Sequence, residues 1–486
     1  MNEFRYSVVL ALGVTIVGAG CSVVPPDRSF GRVQQPVAER IGAEPAWPTS
    51  PGARDAIGGR VRELLGEPLT QERAVRIALL NNRTLWAEYS DLGMQEADFE
   101  EAGLLENPSL AFGLGFPDRP PSITELDFGL TMNLLRAMLT PARRDIAGDF
   151  LDAAVLRAAD RVLQTVTETR LAYLDLQASE HMSAVLREIA VAAEASAELA
   201  KRLFDAGNMS ELALANEQAL YEDARIEYAR SLAESKGYRE RLNVLMGLWG
   251  QETGWSIVDR LPELPPSEPD LGSLESYAVR QRLDLAAAAK EVEALSKAAG
   301  LQRDWRLLLT TEVGVRAARD TDGQWVVGPE FTLDLPIFNQ RQAEITRLDS
   351  ALLGARARLE AIAIETRADV RRLRDHLFAM RYEIEHYRDT VLPLRERITA
   401  LTLEQYNFML VDTFGLLAAK RDEIAVYRSY LESIHDYWAT RAELERAVGG
   451  RLPMASGMSD EHPAEMEGMP AMPSMTEPQH QHHGEH

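Results

Sequence analysis

The sequence predicts a mainly α-helical fold with a small β part that crosses a membrane, built from two copies of one unit. Long stretches carry apolar residues at three- and four-residue steps, and four short segments alternate apolar with polar or small residues. The order of these elements recurs after about 200 residues.

At 486 residues the chain has room for two or three domains, or for one elongated one. Its apolar share of 45% is ordinary for a folded protein. A formal charge of −23 speaks against nucleic acid and against a polybasic membrane contact. The single cysteine excludes a disulfide framework within the chain.

That cysteine follows "MNEFRYSVVLALGVTIVGAG", with Arg5 in a short n-region, an apolar run from Val8 to Val17, and the small residues Gly18, Ala19 and Gly20. Residues 1–20 therefore have the layout of a lipoprotein signal peptide, cleaved before Cys21, whose thiol takes the lipid. Gly18 departs from the larger apolar residue usual at that position, and an ordinary secretion signal shares the same regions. Ser22 after the cysteine suits the outer membrane. No later run of about 20 apolar residues is present to span a bilayer as a helix.

Residues 21–66, rich in Pro, Gly and Arg, read as an extended arm. Repeat one covers 67–270 and repeat two 271–450. "ALLNNRTL" (Ala78–Leu85) aligns with "AVRQRLDL" (Ala278–Leu285), "FGLTMNLL" (Phe128–Leu135) with "FTLDLPIF" (Phe331–Phe338), and "LFDAGNMSEL" (Leu203–Leu212) with "QYNFMLVDTF" (Gln405–Phe414). Each repeat reads as a helix, two strands and a long helical hairpin, the hairpins at about 141–247 and 342–447. In the second, Ile345, Leu348, Leu352, Ala355, Leu359 and Ile362 continue, after an extra four-residue step, as Val370, Leu373, Leu377, Met380 and Ile384. This is a coiled-coil seam with one stutter, on a rod of roughly 90 Å. Pro393 should kink it by removing a helical hydrogen bond. Gly207 and Asn208 supply turn chemistry at the first hairpin's bend.

The strands fall at about 108–133 and 306–338. Leu110, Phe112, Leu114 and Phe116 alternate with small residues, and Leu126, Phe128, Leu130 and Met132 alternate with Glu125, Asp127, Gly129 and Thr131. Leu307, Leu309, Val313 and Val315 lie opposite Thr310, Glu312, Gly314 and Arg316. Trp325, Val327, Phe331, Leu333, Leu335 and Ile337 lie opposite Gly328, Glu330, Thr332 and Asp334. Such alternation fits a membrane β-barrel; a soluble sandwich, or a sheet under a helix, alternates as well. The export signal, the absence of a spare amphipathic helix, and the acidic Glu125, Asp127, Glu312, Glu330 and Asp334 opposite the apolar side chains favour lipid. Four strands fall short of the roughly eight that close a barrel, and an open edge in hydrocarbon leaves backbone groups unpaired. Several copies must then combine, each donating four staves around a lumen lined by those acidic residues.

Five stretches together resemble the TolC-like outer-membrane efflux proteins over roughly residues 60–450: "LTQERAVRIALLNN" (Leu69–Asn82), "LLENPSL" (Leu104–Leu110), "RLDL" (Arg282–Leu285), "LPIFNQRQAEI" (Leu335–Ile345) and "DYWATRAELERAVGG" (Asp436–Gly450). The resemblance implies a homotrimer with a 12-strand β-barrel in the outer membrane of a Gram-negative bacterium, continuous with a 12-helix periplasmic α-barrel. It implies a periplasmic adaptor as partner, an inner-membrane pump reached through it, and adaptor contacts at the hairpin tips, here Gly207, Asn208, Ser210, Met409 and Asp412. The family's acidic gate positions fall on Gly415 and Ala418, which are not acidic. Of the nearest carboxylates, Asp412 and Asp422, the first is expected to cap the following helix.

Residues 451–486 hold six of the 15 methionines and five of the nine histidines, with little else apolar, so they cannot build a core. Met466, Met469, Met472 and Met475 recur at every third position, one turn of polyproline II. Thioethers suit Cu(I) or Ag(I), and the imidazoles of His480, His482, His483 and His486 suit Cu(II), Ni(II) or Zn(II). A solubilising tail or a cloning tag is the plainer reading. His181, His376, His386 and His435, scattered in helices, read as ordinary surface or seam residues. No P-loop or nucleophile–base motif suggests an enzyme, and no cofactor is expected beyond metal on the tail. The leading expectation is a passive exit duct for copper, silver or other heavy-metal cations. A duct for drugs or organic solutes and a poreless periplasmic copper-binding scaffold are the rivals.

Overall fold

A computed structural model describes residues 25–119, 123–258, 261–268, 271–306, 311–333 and 335–452. Two short helices, α1 (Phe30–Ile41) and α2 (Pro51–Leu64), precede the first repeat. That repeat runs α3 (Gln71–Asn81), α4 (Arg83–Gly103), β1 (Ser109–Gly115), β2 (Glu125–Asn133), the single turn α5 (Leu134–Met138), α6 (Thr140–Asp205) and α7 (Glu211–Met246). The second runs α8 (Leu274–Gln281), α9 (Leu283–Trp305), β3 (Glu312–Arg319), β4 (Trp325–Thr332), α10 (Gln342–His386), α11 (Leu392–Asn407) and α12 (Thr413–Ala447). Helix pair, strand pair and helical hairpin thus recur in the same order.

The long helices follow from their spacing. Leu151, Val155, Ala158, Val162, Val166, Thr169, Tyr173 and Leu176 are buried along α6, whose 66 residues make a rod of about 100 Å. In α10 the buried residues are Ala355, Thr366, Val370, Leu373, Leu377 and Ile384. Thr366 fills the stutter, its hydroxyl donating to the Ile362 carbonyl at 2.7 Å. Pro393 does not break the rod. One turn of π-helix, Tyr387–Val391, joins α10 to α11 just before it, and the wider turn accommodates the missing backbone donor.

The two repeats share the backbone of their corners. Asn82 between α3 and α4 has φ −67 and ψ 119, and Arg282 between α8 and α9 has φ −67 and ψ 128. Asn82 caps α4 by accepting from the Leu85 N–H at 3.1 Å, while its amide donates to the Leu245 carbonyl at 2.8 Å. Asn81 donates to the Met246 and Gly247 carbonyls at 3.0 and 2.9 Å, tying down the end of α7. Gly247, at φ +65, sits so close to Asn81 that an added Cβ would lie 2.3 Å from its carbonyl oxygen. Gly449, at φ +86, stands against Gln281 in the same way, with an added Cβ 3.0 Å from its carbonyl.

Residues 21–66 depart from the expected extended arm, since the described part carries α1 and α2. Phe30, Val33 and Val37 share one face of α1 and are buried with Tyr89, Leu92 and Val155, Phe30 meeting Tyr89 edge-on at 4.8 Å. Ser50 caps α2 by accepting from the Ala53 N–H, with Pro51 at its first position. Gly42 and Pro51 mark boundaries of these helices, whereas Pro36 lies within α1 and Gly58 and Gly59 lie within α2. The last strand is shorter than expected, β4 ending at Thr332. Of the strand expected from Leu307, the described part, β3, starts at Glu312, and Leu307, Leu309 and Thr310 lie outside the described residues. Residues 1–24 and 453–486, with the signal, Cys21 and the Met/His tail, lie outside the described residues.

Gly207 at the first hairpin's bend has φ +73 with open space around it. Gly207→Ala should therefore cost about 1 kcal/mol of stability, and Gly247→Ala, which adds a backbone clash, on the order of 3. Denaturant midpoints of the two variants check the difference.

Candidate functional site

The four strands form one antiparallel sheet in the order β1-β2-β3-β4, so the two hairpins of the two repeats are joined through β2 and β3. Register decides what each face carries. Phe112, Phe128, Ala317 and Val327 line up across the sheet, next to the row Leu110, Leu130, Val315 and Pro329. Met132, Val313 and Phe331 continue the same face. Phe112 and Phe128 rings lie 5.0 Å apart, and Phe128 stacks with Trp325 at 6.4 Å. Yet Leu110 and Phe331 are each 74% exposed, and Phe112, Leu114, Val315 and Val327 are exposed too. A contiguous apolar sheet face left open in the single chain calls for another apolar phase or another chain.

The opposite face carries Glu125, Asp127, Glu312 and Glu330, four of the five acidic residues expected there; Asp334 lies outside the described residues. Glycines make room among them. Gly113 faces Asp127, Gly115 faces Glu125, and Gly129 and Gly328 flank Arg316. An added Cβ at Gly115 would sit 2.7 Å from the Glu125 carboxylate, and one at Gly129 3.7 Å from that of Glu330. Arg316 forks onto Asp127 with bonds of 2.9 and 2.5 Å from Nε and Nη2, the bidentate geometry that makes arginine–carboxylate pairs strong. Asp127 is therefore paired, and among the described residues Glu125, Glu312 and Glu330 form no ion pair on this face. Alternation in β3 already placed Arg316 among the acidic residues; its pairing with Asp127 depends on the β2–β3 register, which no local pattern reveals.

At the far end, the two hairpin tips have one backbone. Gly207 N–H donates to the Phe204 carbonyl and Asn208 N–H to that of Leu203, both at 2.8 Å. Met409 N–H donates to Tyr406 and Leu410 N–H to Gln405, both at 2.9 Å. Each bend is the paired capping motif that closes a helix through a left-handed residue. Ser210 then caps α7 through the Ala213 N–H at 3.2 Å, and Asp412 caps α12 through the Gly415 N–H at 2.9 Å. Surfaces differ where backbones agree. The left-handed position holds Gly207 in one tip and Met409, φ +60 and 94% exposed, in the other. Phe408 and Leu410 beside Met409 are also exposed. Of the two carboxylates near the second tip, Asp412 is a cap and Asp422 pairs with Arg395 at 3.2 Å.

Cys21 and the tail residues Met466, Met469, Met472, Met475, His480, His482, His483 and His486 lie outside the described residues. Among the described residues no group of three or more His, Cys, Asp or Glu is placed to hold a metal ion, and no helix is long and apolar enough to cross a membrane.

No family model matches the sequence, and no curated protein matches it. Solved structures do match the fold. The CmeC outer-membrane channel of Campylobacter jejuni superposes with a TM-score of 0.68 at 14% identity, over 78% of this chain and 85% of that one. The outer-membrane protein VceC of Vibrio cholerae gives 0.65 at 15% identity over 78% and 96%. CusC, described as forming a transmembrane channel, gives 0.64 at 16% identity over 78% and 92%. This chain shares the fold of these outer-membrane proteins.

Removing either tip cap should fray the helix it starts. Ser210→Ala and Asp412→Ala are each expected to cost about 1 kcal/mol locally, read as faster hydrogen exchange in the first turn of α7 or α12 with the α3–α4 corner unchanged.

Proposed function

We propose that the chain is the outer-membrane exit duct of a tripartite efflux system, a passive conduit driven by an inner-membrane pump through a periplasmic adaptor. The open apolar face of the sheet carries this reading. Hydrocarbon is the phase that face suits, and the acidic face opposite would then line water. Both edges, β1 and β4, must find partners, because unpaired backbone groups in lipid cost several kcal/mol each. Three chains of four strands close a 12-strand barrel, and the hairpins of the same three chains continue it as a 12-helix tunnel into the periplasm. The neighbours' common fold supports this arrangement, and the two capped tips are the surfaces offered to the adaptor. A lipid on Cys21 would add an anchor beside the barrel.

For cargo, we favour copper or silver ions. The support is the tail, where four methionines at every third position offer soft ligands and four histidines offer imidazoles. The tail would gather metal rather than react with it, since flexible ligands impose no rigid open site.

Mass and lipid content of the detergent-solubilised protein test the assembly: a trimer carrying acyl chains is expected, and a water-soluble monomer would sink the duct. In planar bilayers, Arg316→Ala should free Asp127 and raise cation preference, while joint neutralisation of Glu125, Glu312 and Glu330 should lower it; unchanged selectivity in both would remove these residues from the lumen. Deleting residues 451–486 is expected to sensitise cells to copper or silver more than to drugs, the reverse pattern favouring an organic-solute duct.

A further inference from the structure

Among the described residues four ionic rungs tie α12 of the second hairpin to the first hairpin, and they descend in order from the α8–α9 corner toward the tips. Arg446 pairs with Asp160 on α6 at 2.7 Å, and Glu445 with Arg170 on α6 at 2.7 Å. His435 meets Asp175 on α6 at 2.9 Å, and Arg428 pairs with Glu227 on α7 at 2.7 Å. Nearer the tip, α12 is held by its own hairpin, through Arg395–Asp422 and a bond from the Thr399 hydroxyl to the Ala419 carbonyl at 3.3 Å. Three of the four rungs are arginine–carboxylate pairs, in which the guanidinium does not lose its proton.

The His435 rung differs. Its Nε2 faces Asp175 Oδ1 and its Nδ1 faces Asp436 Oδ1, both at 2.9 Å. Carboxylates only accept, and a neutral imidazole has one N–H. Both bonds therefore exist together only in the imidazolium. Loss of the proton turns one of them into lone pair against lone pair and removes the charge from the other. The surroundings hold the proton. Around this groove of about 510 Å³ stand Asp175 from α6, Glu227, Arg230, Glu234 and Tyr238 from α7, and Arg428, Glu432 and Asp436 from α12, with Arg241 of α7 3.8 Å from Asp175. Arg428 is engaged by Glu227 and Glu432. The hydrogen bond to Asp175, ahead of burial acting the other way, lifts the imidazole above its ordinary 6.5.

We propose that His435 is a proton-operated clamp between the two hairpins, closed as imidazolium and loosened when the surrounding solution becomes alkaline. Its contribution to stability is complete below pH 6.5 and is lost as pH rises through the elevated folded-state value. The clamp is the rung nearest the tips on α6, so releasing it leaves the lower part of α12 tied to the first hairpin only through Arg428 and Glu227 on α7, while the upper rungs hold. The inference rests on these hairpin contacts and not on the presence of a pore.

The test is a distance, measured on the purified full-length chain carrying Cys21→Ser. Spin labels placed through Glu198→Cys on α6 and Arg421→Cys on α12, diluted with unlabelled chain, report the separation below the clamp. Between about pH 5.5 and 8.5 the distribution is expected to lengthen or broaden in the native background. His435→Gln and Asp175→Asn should show the alkaline distribution at every pH. If either variant fails to assemble, Asp436→Asn, which spares the bond to α6, should keep part of the pH shift. A native distance that ignores pH, or a full native shift in His435→Gln, overturns the clamp.

Discussion

The backbone's need for hydrogen-bond partners governs this molecule more than any side-chain contact. A four-stranded sheet satisfies its interior strands and leaves two edges open, while its apolar face lies bare in the single chain. In water, a covering helix and blunted edges would be the usual remedies. Here the helices run away from the sheet as rods instead of folding back over it. Both deficits would be met at once by the proposed lateral closure of the sheet with further copies inside a bilayer. The acidic face, the glycines that admit its side chains and the Arg316–Asp127 fork would then acquire a reason for their shared orientation.

Duplication distributes this constraint over two repeats. Each return helix ends on a left-handed glycine, Gly247 or Gly449, pressed against the carbonyl of Asn81 or Gln281. The first repeat uses the amides of Asn81 and Asn82 to fasten that junction. In the second, Arg282 pairs with Asp284 at 2.5 Å and reaches the Ala447 carbonyl at 3.5 Å. One backbone solution is thus maintained by different chemistry, which is why the repeats are visible in the order of elements and nearly invisible in identity.

What was legible in the sequence was whatever local spacing decides. The long rods, the bend at Asp205–Ser210, the alternating strands and the capping role of Asp412 all follow from neighbours within a few residues. Pro393 was legible as a disturbance but not as a π-turn, because its accommodation depends on how the flanking helix winds. Residues 21–66, rich in Pro, Gly and Arg, read as an extended arm, yet Phe30, Val33 and Val37 find a distant core around Tyr89 that no local pattern announces. The same limit hid the partners of Arg316 and His435. Asp127 and Asp175 lie 189 and 260 residues away in sequence, and only the meeting of the two repeats brings them within reach.

The tips show what such a doubled chain does to symmetry. Were three copies to stand in a ring, their six bends would approximate a sixfold rim, since all would share one backbone. Gly207 and Met409 break that equivalence, bare main chain alternating with a projecting thioether at every sixty degrees. A mate engaging the whole rim would have to present two kinds of seat in rotation, and a six-membered collar of identical subunits would meet it as three unlike pairs.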